Sequence, residues 1–583
     1  MSRPALLRLL LTALALSVLI MSIRGRELFV GDETKYGQVI REMRQSHVFF
    51  LPTLLGTPFT HKPPMHFWMI DLLTFLFGVY SIWSFVIPSL LAFAFLLWVM
   101  ARYSGPLAAF LCGSFAMIWA SAQTARMDVS FTALIALAAF LMERFFEEER
   151  FQALLLAGIA LAIATLIKGP MAPVIGLALF GCEWLRRRRV PCGNYWPAAA
   201  AMIVIPLLWV VPAMILGGSA YTREIVVKQT VGRAVSSWVH NYPPWYYLAH
   251  SPGFLFPWFF VVIVAAVALR HGSERARFCL SWIAAVLVPY SLMSSKLDVY
   301  MMALMPPCAV LIAELLHDPE TRPARIAHWL NVVTLAILGA AGIVALTSAE
   351  RWVKGPDAAL LTLPAVRGVF IVLIVASTIG LAVAVVARSV FASTIAVGVV
   401  TTVFLTSIAI ALTPLANDMA STRPLVAAIE KQHVAAGDVA LYWCPFLWTH
   451  DMPRDLEGVH YVNPEDFRSL HPAVIVTSRV RAVDIAEALR GYRKVDELRM
   501  IGKWFDVYRV AVQPSPNQTR QSVTLERFGE GTAPQRTQRS TEIYRERQRG
   551  ENQRSSLLFS ANLCASLCPL RLTSPLAGAS HAG

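Results

Sequence analysis

The chain of 583 residues is 56% hydrophobic and 15% charged, with a mean hydropathy of +0.55, which excludes both an ordinary soluble globular protein and an intrinsically disordered one. Its formal net charge is +14, but the basic residues stand in short clusters between apolar runs rather than on one polar face. That pattern is membrane topology, and it argues against a nucleic-acid partner.

Crossing a bilayer takes roughly 20 apolar residues per helix. On that rule about thirteen spans are expected, centred near 5–23, 84–101, 106–123, 131–146, 152–167, 171–185, 198–216, 253–270, 278–294, 301–316, 327–347, 366–386 and 392–413. The first follows Arg3 and Arg8 and lacks a small-x-small cleavage site, so it is expected to stay in place as a transmembrane helix. After it, residues 24–65 form a polar loop containing VGDETKY (30–36) and HKPPM (61–65). Within it, DETKYGQVIREM reads as a surface helix with Asp32 at its N-cap. The next stretch, HFWMIDLLTFLFGVY (66–80), is short, aromatic and carries Asp71. Such a segment lies in the interface rather than crossing.

With 66–80 interfacial, Arg3, Arg8, Arg102, Arg144, Arg150, the run Arg186 to Arg189, Arg270, Arg275, Arg277, Arg322, Arg325 and Arg388 all fall on one side. Short basic connectors face the cytoplasm, so the arginine run is read as a topology determinant. The outer face then receives loops 24–65 and 217–252 and the connectors 124–130, 168–170 and 294–300. Beyond the last span, VALYWC, VHYV, AVIVTS and FDVYRVAV alternate with PLVAAIEKQHVAA and VDIAEALRGY, the rhythm of a small α/β domain. From 513 the chain turns polar, Arg-rich and aperiodic, as disordered segments do. The expected plan is an all-α polytopic membrane domain (1–414), a small α/β domain on the outer face (415–512) and a disordered tail (513–583).

The first outer loop gathers Asp32, Glu33, Lys35, His61 and Lys62 close to the membrane end of a span. Charges there are costly unless they face water or one another. The two prolines after Lys62 remove donors and hold the lysine in extended geometry, a stiff mount for a point charge that suits a lipid phosphate.

GDETKY followed by HKPPMHFW resembles the D-E-x-R-Y and E-K-P-P-L-x-Y-W loop of the aminoarabinose transferases that modify lipid A. These sit within the wider GT-C glycosyltransferases that use polyprenyl-phosphate sugars, alongside the protein O-mannosyltransferases. The resemblance continues through TARMDVS (124–130), IKGP (167–170), HNYPPWYYL (240–248), FPWF (256–259) and KLDVYMMALMPP (296–307). Five short motifs in register make chance a poor explanation.

The resemblance implies a membrane glycosyltransferase of the bacterial inner membrane, with its active site on the periplasmic face. It would move a sugar from a polyprenyl-phosphate donor to lipid A or a related envelope glycolipid, or to a protein hydroxyl. By resemblance, Asp32 is the catalytic base or the carboxylate that orients the acceptor, and Glu33 shapes the site or holds Lys35. Lys62 contacts the lipid phosphate, Lys296 and Tyr300 form a second phosphate-side pair, Arg233 is a further contact and Asp128 faces the cavity. His61 and Lys35 depart from the family, which has Glu and Arg there, so the sugar or acceptor differs on this reading. Lys168 is expected to snorkel or touch phosphate. His61 and His240 would be the ligands if a divalent metal were required; histidines in separate loops are more often simply polar, and no cofactor is expected. A lipid transporter or flippase is the non-enzyme alternative, but transporters place charges near the midplane on broken helices in repeated halves, and no repeat is visible here.

Overall fold

The computed structural model describes residues 2–29, 31–54, 56–189, 191–225, 242–353, 356–442, 444, 460–461, 467–500 and 502–511. Arg233, His240 and the tail from 513 lie outside the described residues.

Among the described residues, eight helices are long and apolar enough to cross a membrane, nine if the bent pair Tyr246–Phe254 and Phe259–Ala268 counts as one span. This is a multi-span membrane protein. The expected thirteen segments all fall on helical chain, and the lower count has local causes. The first is split into Arg3–Ser17 and Ile20–Ile23. Helix Ile82–Gly113 runs through two expected segments, with a break at Gly105 (φ 86°) ahead of Pro106, where only glycine takes the positive φ freely. Met171–Arg187 has 17 residues, and Glu274–Leu292 opens on Glu274, Arg275 and Arg277.

Helix Asp128–Glu148 lies at the centre, with 83% of its most apolar window buried. It is hydrophobic on all sides, as a helix surrounded by others must be. Its neighbours Phe151–Lys168 and Ile82–Gly113 pack along it. The short helix Met65–Phe77 buries Phe67, Ile70, Asp71 and Thr74 and leaves Leu72, Phe75 and Leu76 exposed, the two-faced pattern expected of an interfacial segment. Arg44 holds its polar side, donating to Thr74 at 2.6 Å and pairing with Asp71 at 3.3 Å.

The arginine run also takes part in an ion-pair network. Arg186 and Arg187 converge on the fully buried carboxylate of Glu183 at 2.6 and 2.8 Å, and Arg186 continues to Glu274 at 2.7 Å. This network closes one end of Met171–Arg187, about 25 Å from the residues that precede that helix at 1.5 Å per residue.

The C-terminal region forms a five-stranded sheet in the order His460–Tyr461, Val439–Tyr442, Val474–Ser478, Lys503–Val510, Tyr492–Met500. The first three are mutually parallel and the last two antiparallel. Val439–Tyr442 is buried at every position, as a parallel strand covered on both faces should be, and Leu425, Ala428 and Ile429 of helix Arg423–Glu430 cover one face. VDIAEALRGY, read as α-helical, is instead a 3-10 turn over Arg479–Ile485 followed by turns.

The last long helix, Val390–Ala420, is fastened to the chain leaving the first span. Asn417 donates to the Gly25 carbonyl at 2.9 Å and accepts from the Glu27 N–H at 3.0 Å. Ser421 donates to the Glu27 carboxylate at 2.6 Å, and Arg423 pairs with it at 2.6 Å. Residues 25–27 are therefore clasped on both sides of Arg26 by chain nearly four hundred residues away.

Candidate active site

Helix Asp32–Ser46 begins on Gly31, whose φ is 132°. A Cβ there would meet nothing within 4 Å, so the backbone conformation, not space, demands glycine. Asp32 is thus the first helical residue and not the N-cap anticipated from sequence. Thr34 accepts from the Gly31 N–H at 3.3 Å, and Asp32 and Glu33 in the first turn complement the helix dipole. Gly31→Ala is expected to lower the thermal unfolding midpoint, losing about 1–3 kcal/mol to backbone strain.

Glu33 turns inward. It forms a buried ion pair with Arg26 and accepts the Phe29 N–H at 2.8 Å and the Ala125 N–H at 2.6 Å. Arg26 also donates to the Gln123 carbonyl at 2.8 Å. Both Glu33 oxygens are thereby engaged, so it shapes the site by tying the Asp32 turn to the 123–125 segment. Its partner is Arg26 rather than Lys35, and Lys35 instead lies 3.9 Å from Asp32.

Three residues beyond Ala125, Asp128 opens the central helix. Its carboxylate pairs with Lys168, the last residue of Phe151–Lys168, and with Arg126 Nε at 3.4 Å. Lys168 is nearly buried, and its ammonium sits 4.7 Å from the Tyr300 ring centre and 5.3 Å from that of Phe131. Tyr300 in turn stacks on Tyr290 with ring centres 5.2 Å apart. Lys168 therefore neither snorkels nor stands alone; it joins Asp128 to Tyr300.

Asp32 feels this cluster directly. Desolvation by the surrounding loop pushes its carboxyl up, but Lys35, Lys62 and Arg126 together outweigh that and the opposing Asp128, holding it below the usual carboxylate range. Lys62 is half-buried and acts electrostatically on both Asp32 and Asp128. Tyr36, one turn on from Asp32, has its phenol raised well above its ordinary value by burial and by Asp32 and Asp128. His61 lies against Phe59, ring centres 5.3 Å apart.

Lys296 is placed differently. Its ammonium is buried and donates to the carbonyls of Tyr242 and Met293, and burial lowers its pKa. It staples the chain at 242 to the connector after Leu292. No group of three or more His, Cys, Asp or Glu residues with metal-binding geometry occurs among the described residues.

Arg26 and His66 also belong to the site, although the motifs give neither a role. Arg26 sits just after the first span, and its only sequence signal is a carboxylate seven residues later. His66 follows HKPPM directly and is fully buried. The Ala125 backbone faces it, yet neither ring nitrogen closes a hydrogen bond of ordinary geometry. Burial lowers its pKa to about 4, so the imidazole is neutral at physiological pH.

Residues 61–215 match the family of dolichyl-phosphate-mannose-protein mannosyltransferases. Among curated relatives, the undecaprenyl phosphate-alpha-4-amino-4-deoxy-L-arabinose arabinosyl transferase of Serratia proteamaculans (strain 568) is 25% identical over 351 residues, 56% of this chain and 62% of its own. Arabinosyl transferase 1 of that description from Pseudomonas fluorescens (strain Pf-5) is 28% identical over 368 residues, 59% of this chain and 66% of its own. The matched stretch thus spans somewhat under two thirds of these relatives' length. In fold, the chain is similar to the crystal structure of ArnT from Cupriavidus metallidurans bound to undecaprenyl phosphate, with a TM-score of 0.67 and 19% identity, covering 88% of this chain and 99% of that one. The expected architecture of a helical membrane domain with a small C-terminal sheet region is the one found, and in fold it is similar to that solved GT-C transferase structure.

Proposed function

We propose that this protein is a membrane glycosyltransferase that moves a sugar from a polyprenyl-phosphate donor to an acceptor on the periplasmic face of the bacterial inner membrane. The observation that carries this reading is the convergence of Asp32, Arg126, Asp128, Lys168 and Tyr300 at one end of the helix bundle, within electrostatic range of Lys62. Residues 1–414 hold the reaction site, and 415–512 flank it.

In the reaction, the bond between the anomeric carbon and the phosphate oxygen breaks, and its electron pair leaves with the phosphate. The acceptor oxygen forms the new bond to the same carbon. Lys62 offsets the charge that grows on the leaving phosphate. Asp32, ionised and half-exposed, orients the acceptor oxygen or takes its proton. The Asp128–Lys168 pair, locked against Tyr300, fixes the opposite wall.

An envelope glycolipid such as lipid A is the acceptor this reading favours, with a protein hydroxyl as the alternative. Mass spectrometry of envelope lipids and glycoproteins from cells with and without the protein separates the two, and an unchanged pattern in both fractions overturns the enzyme. Lys62→Ala is expected to lower transfer at least 100-fold with the protein still inserted, measured with purified protein and a polyprenyl-phosphate sugar. Wild-type turnover in that variant would remove Lys62 from the site.

A further inference from the structure

We infer that Arg126 is a further substrate-binding residue, one that grips a phosphate group of a substrate with its guanidinium fork. The inference rests on the transferase reading above and adds to it a contact assigned to no residue so far.

The backbone of Arg126 is held rigidly. Ser89 donates its hydroxyl to the Arg126 carbonyl at 2.9 Å and accepts the Arg126 N–H at 3.3 Å, while that N–H also reaches the Thr124 carbonyl at 2.8 Å. The side chain leaves this mount towards Asp128, with Nε 3.4 Å from its carboxylate. The two terminal nitrogens donate no hydrogen bond among the described residues, and the side chain is 39% exposed. Asp128 has its closer partner in Lys168, so Arg126 is not needed to neutralise it.

Charge counting points the same way. Among the described residues around Asp32 and Asp128, five cations (Arg26, Lys35, Lys62, Arg126 and Lys168) face three carboxylates (Asp32, Glu33 and Asp128). Arg26 and Lys168 are each committed to a buried or nearly buried pair, and Asp32 offsets one further charge, so a net surplus of about two positive charges is shared among Lys35, Lys62 and Arg126. Of these only Arg126 carries planar, parallel donors that fit two oxygens of one phosphate. Lys35 occupies the position where the resembled motif has an arginine, so the fork missing from the helix Asp32–Ser46 is present instead on the 124–127 loop.

The phosphate belongs either to the polyprenyl donor or to a phosphorylated lipid acceptor, and equilibrium binding to the full-length protein in lipid nanodiscs distinguishes them. Undecaprenyl phosphate is the first probe and lipid A the second, each titrated against wild type, Arg126→Gln and Arg126→Lys. The expected result is at least a tenfold rise in Kd for one probe in Arg126→Gln, with a smaller rise in Arg126→Lys, which keeps the charge and loses the fork. A rise confined to undecaprenyl phosphate assigns the contact to the donor, and one confined to lipid A assigns it to the acceptor. Unfolding midpoints of the variants identify any misfolded protein, and Arg126→Lys supplies the measurement if Arg126→Gln does not fold. Affinities within twofold of wild type for both probes in folded variants overturn the role of Arg126 alone. Wild-type protein that binds neither probe overturns the transferase reading and this inference with it.

Discussion

Asp32→Asn is expected to reduce turnover by about 100- to 10,000-fold, the range for loss of a positioned acid–base group, while the protein remains inserted and folded. Only the carboxylate is altered: the helix start is set by Gly31 and Thr34, and the inward anchor is Glu33. Because Lys35, Lys62 and Arg126 hold the Asp32 carboxyl below its usual range against desolvation, the group stays ionised through mildly acidic pH. Activity that depends on its ionised form is therefore retained as pH falls past the ordinary aspartate value and is lost only below it. A pH–rate profile for kcat/KM checks this, and an acid limb above the ordinary value would remove Asp32 as the titrating base. The stability linkage has the same sign: a depressed folded-state pKa contributes stability that is present above the unfolded value and disappears as pH drops through the folded one.

The second large effect is structural. Glu33→Ala leaves Arg26 buried without its counter-charge and strips the acceptor from two backbone N–H groups. Breaking one side of a buried pair costs about 3–5 kcal/mol, so a pronounced fall in unfolding midpoint is expected, together with loss of activity. Arg26→Met in the same background should recover part of the stability, since removing both charges removes the desolvation problem. Thermal unfolding in detergent or nanodiscs measures both. If the single variant unfolds with wild type, the pair is not the anchor described.

The contrast between adjacent residues shows what the sequence makes legible. Asp32, Lys62, Asp128 and Tyr300 stand out because stiff or polar motifs at the ends of apolar runs are unusual, and these residues do share one region. The helical positions were equally readable, since apolar runs of membrane length leave little choice of structure. Partner choice was not: Glu33 pairs with Arg26, Lys168 with Asp128, and Lys296 with backbone carbonyls, and each depends on how distant helices meet. Eight or nine helices among the described residues pass as spans by length and composition, and the expected thirteen segments differ from them where a glycine break at 105 and the interruption after Ser17 look like ordinary apolar chain. Arg126 lies inside TARMDVS, where the neighbouring carboxylate of Asp128 is the more conspicuous group.

The grip of Asn417 on both sides of Arg26 has a consequence for biosynthesis. The turn that presents Asp32 gains part of its support from chain made almost four hundred residues later, so a ribosome must deliver the final long helix to the bilayer before this clasp on the earliest loop can close. A nascent chain halted ahead of that helix would carry every motif of the reaction site and still be unfinished.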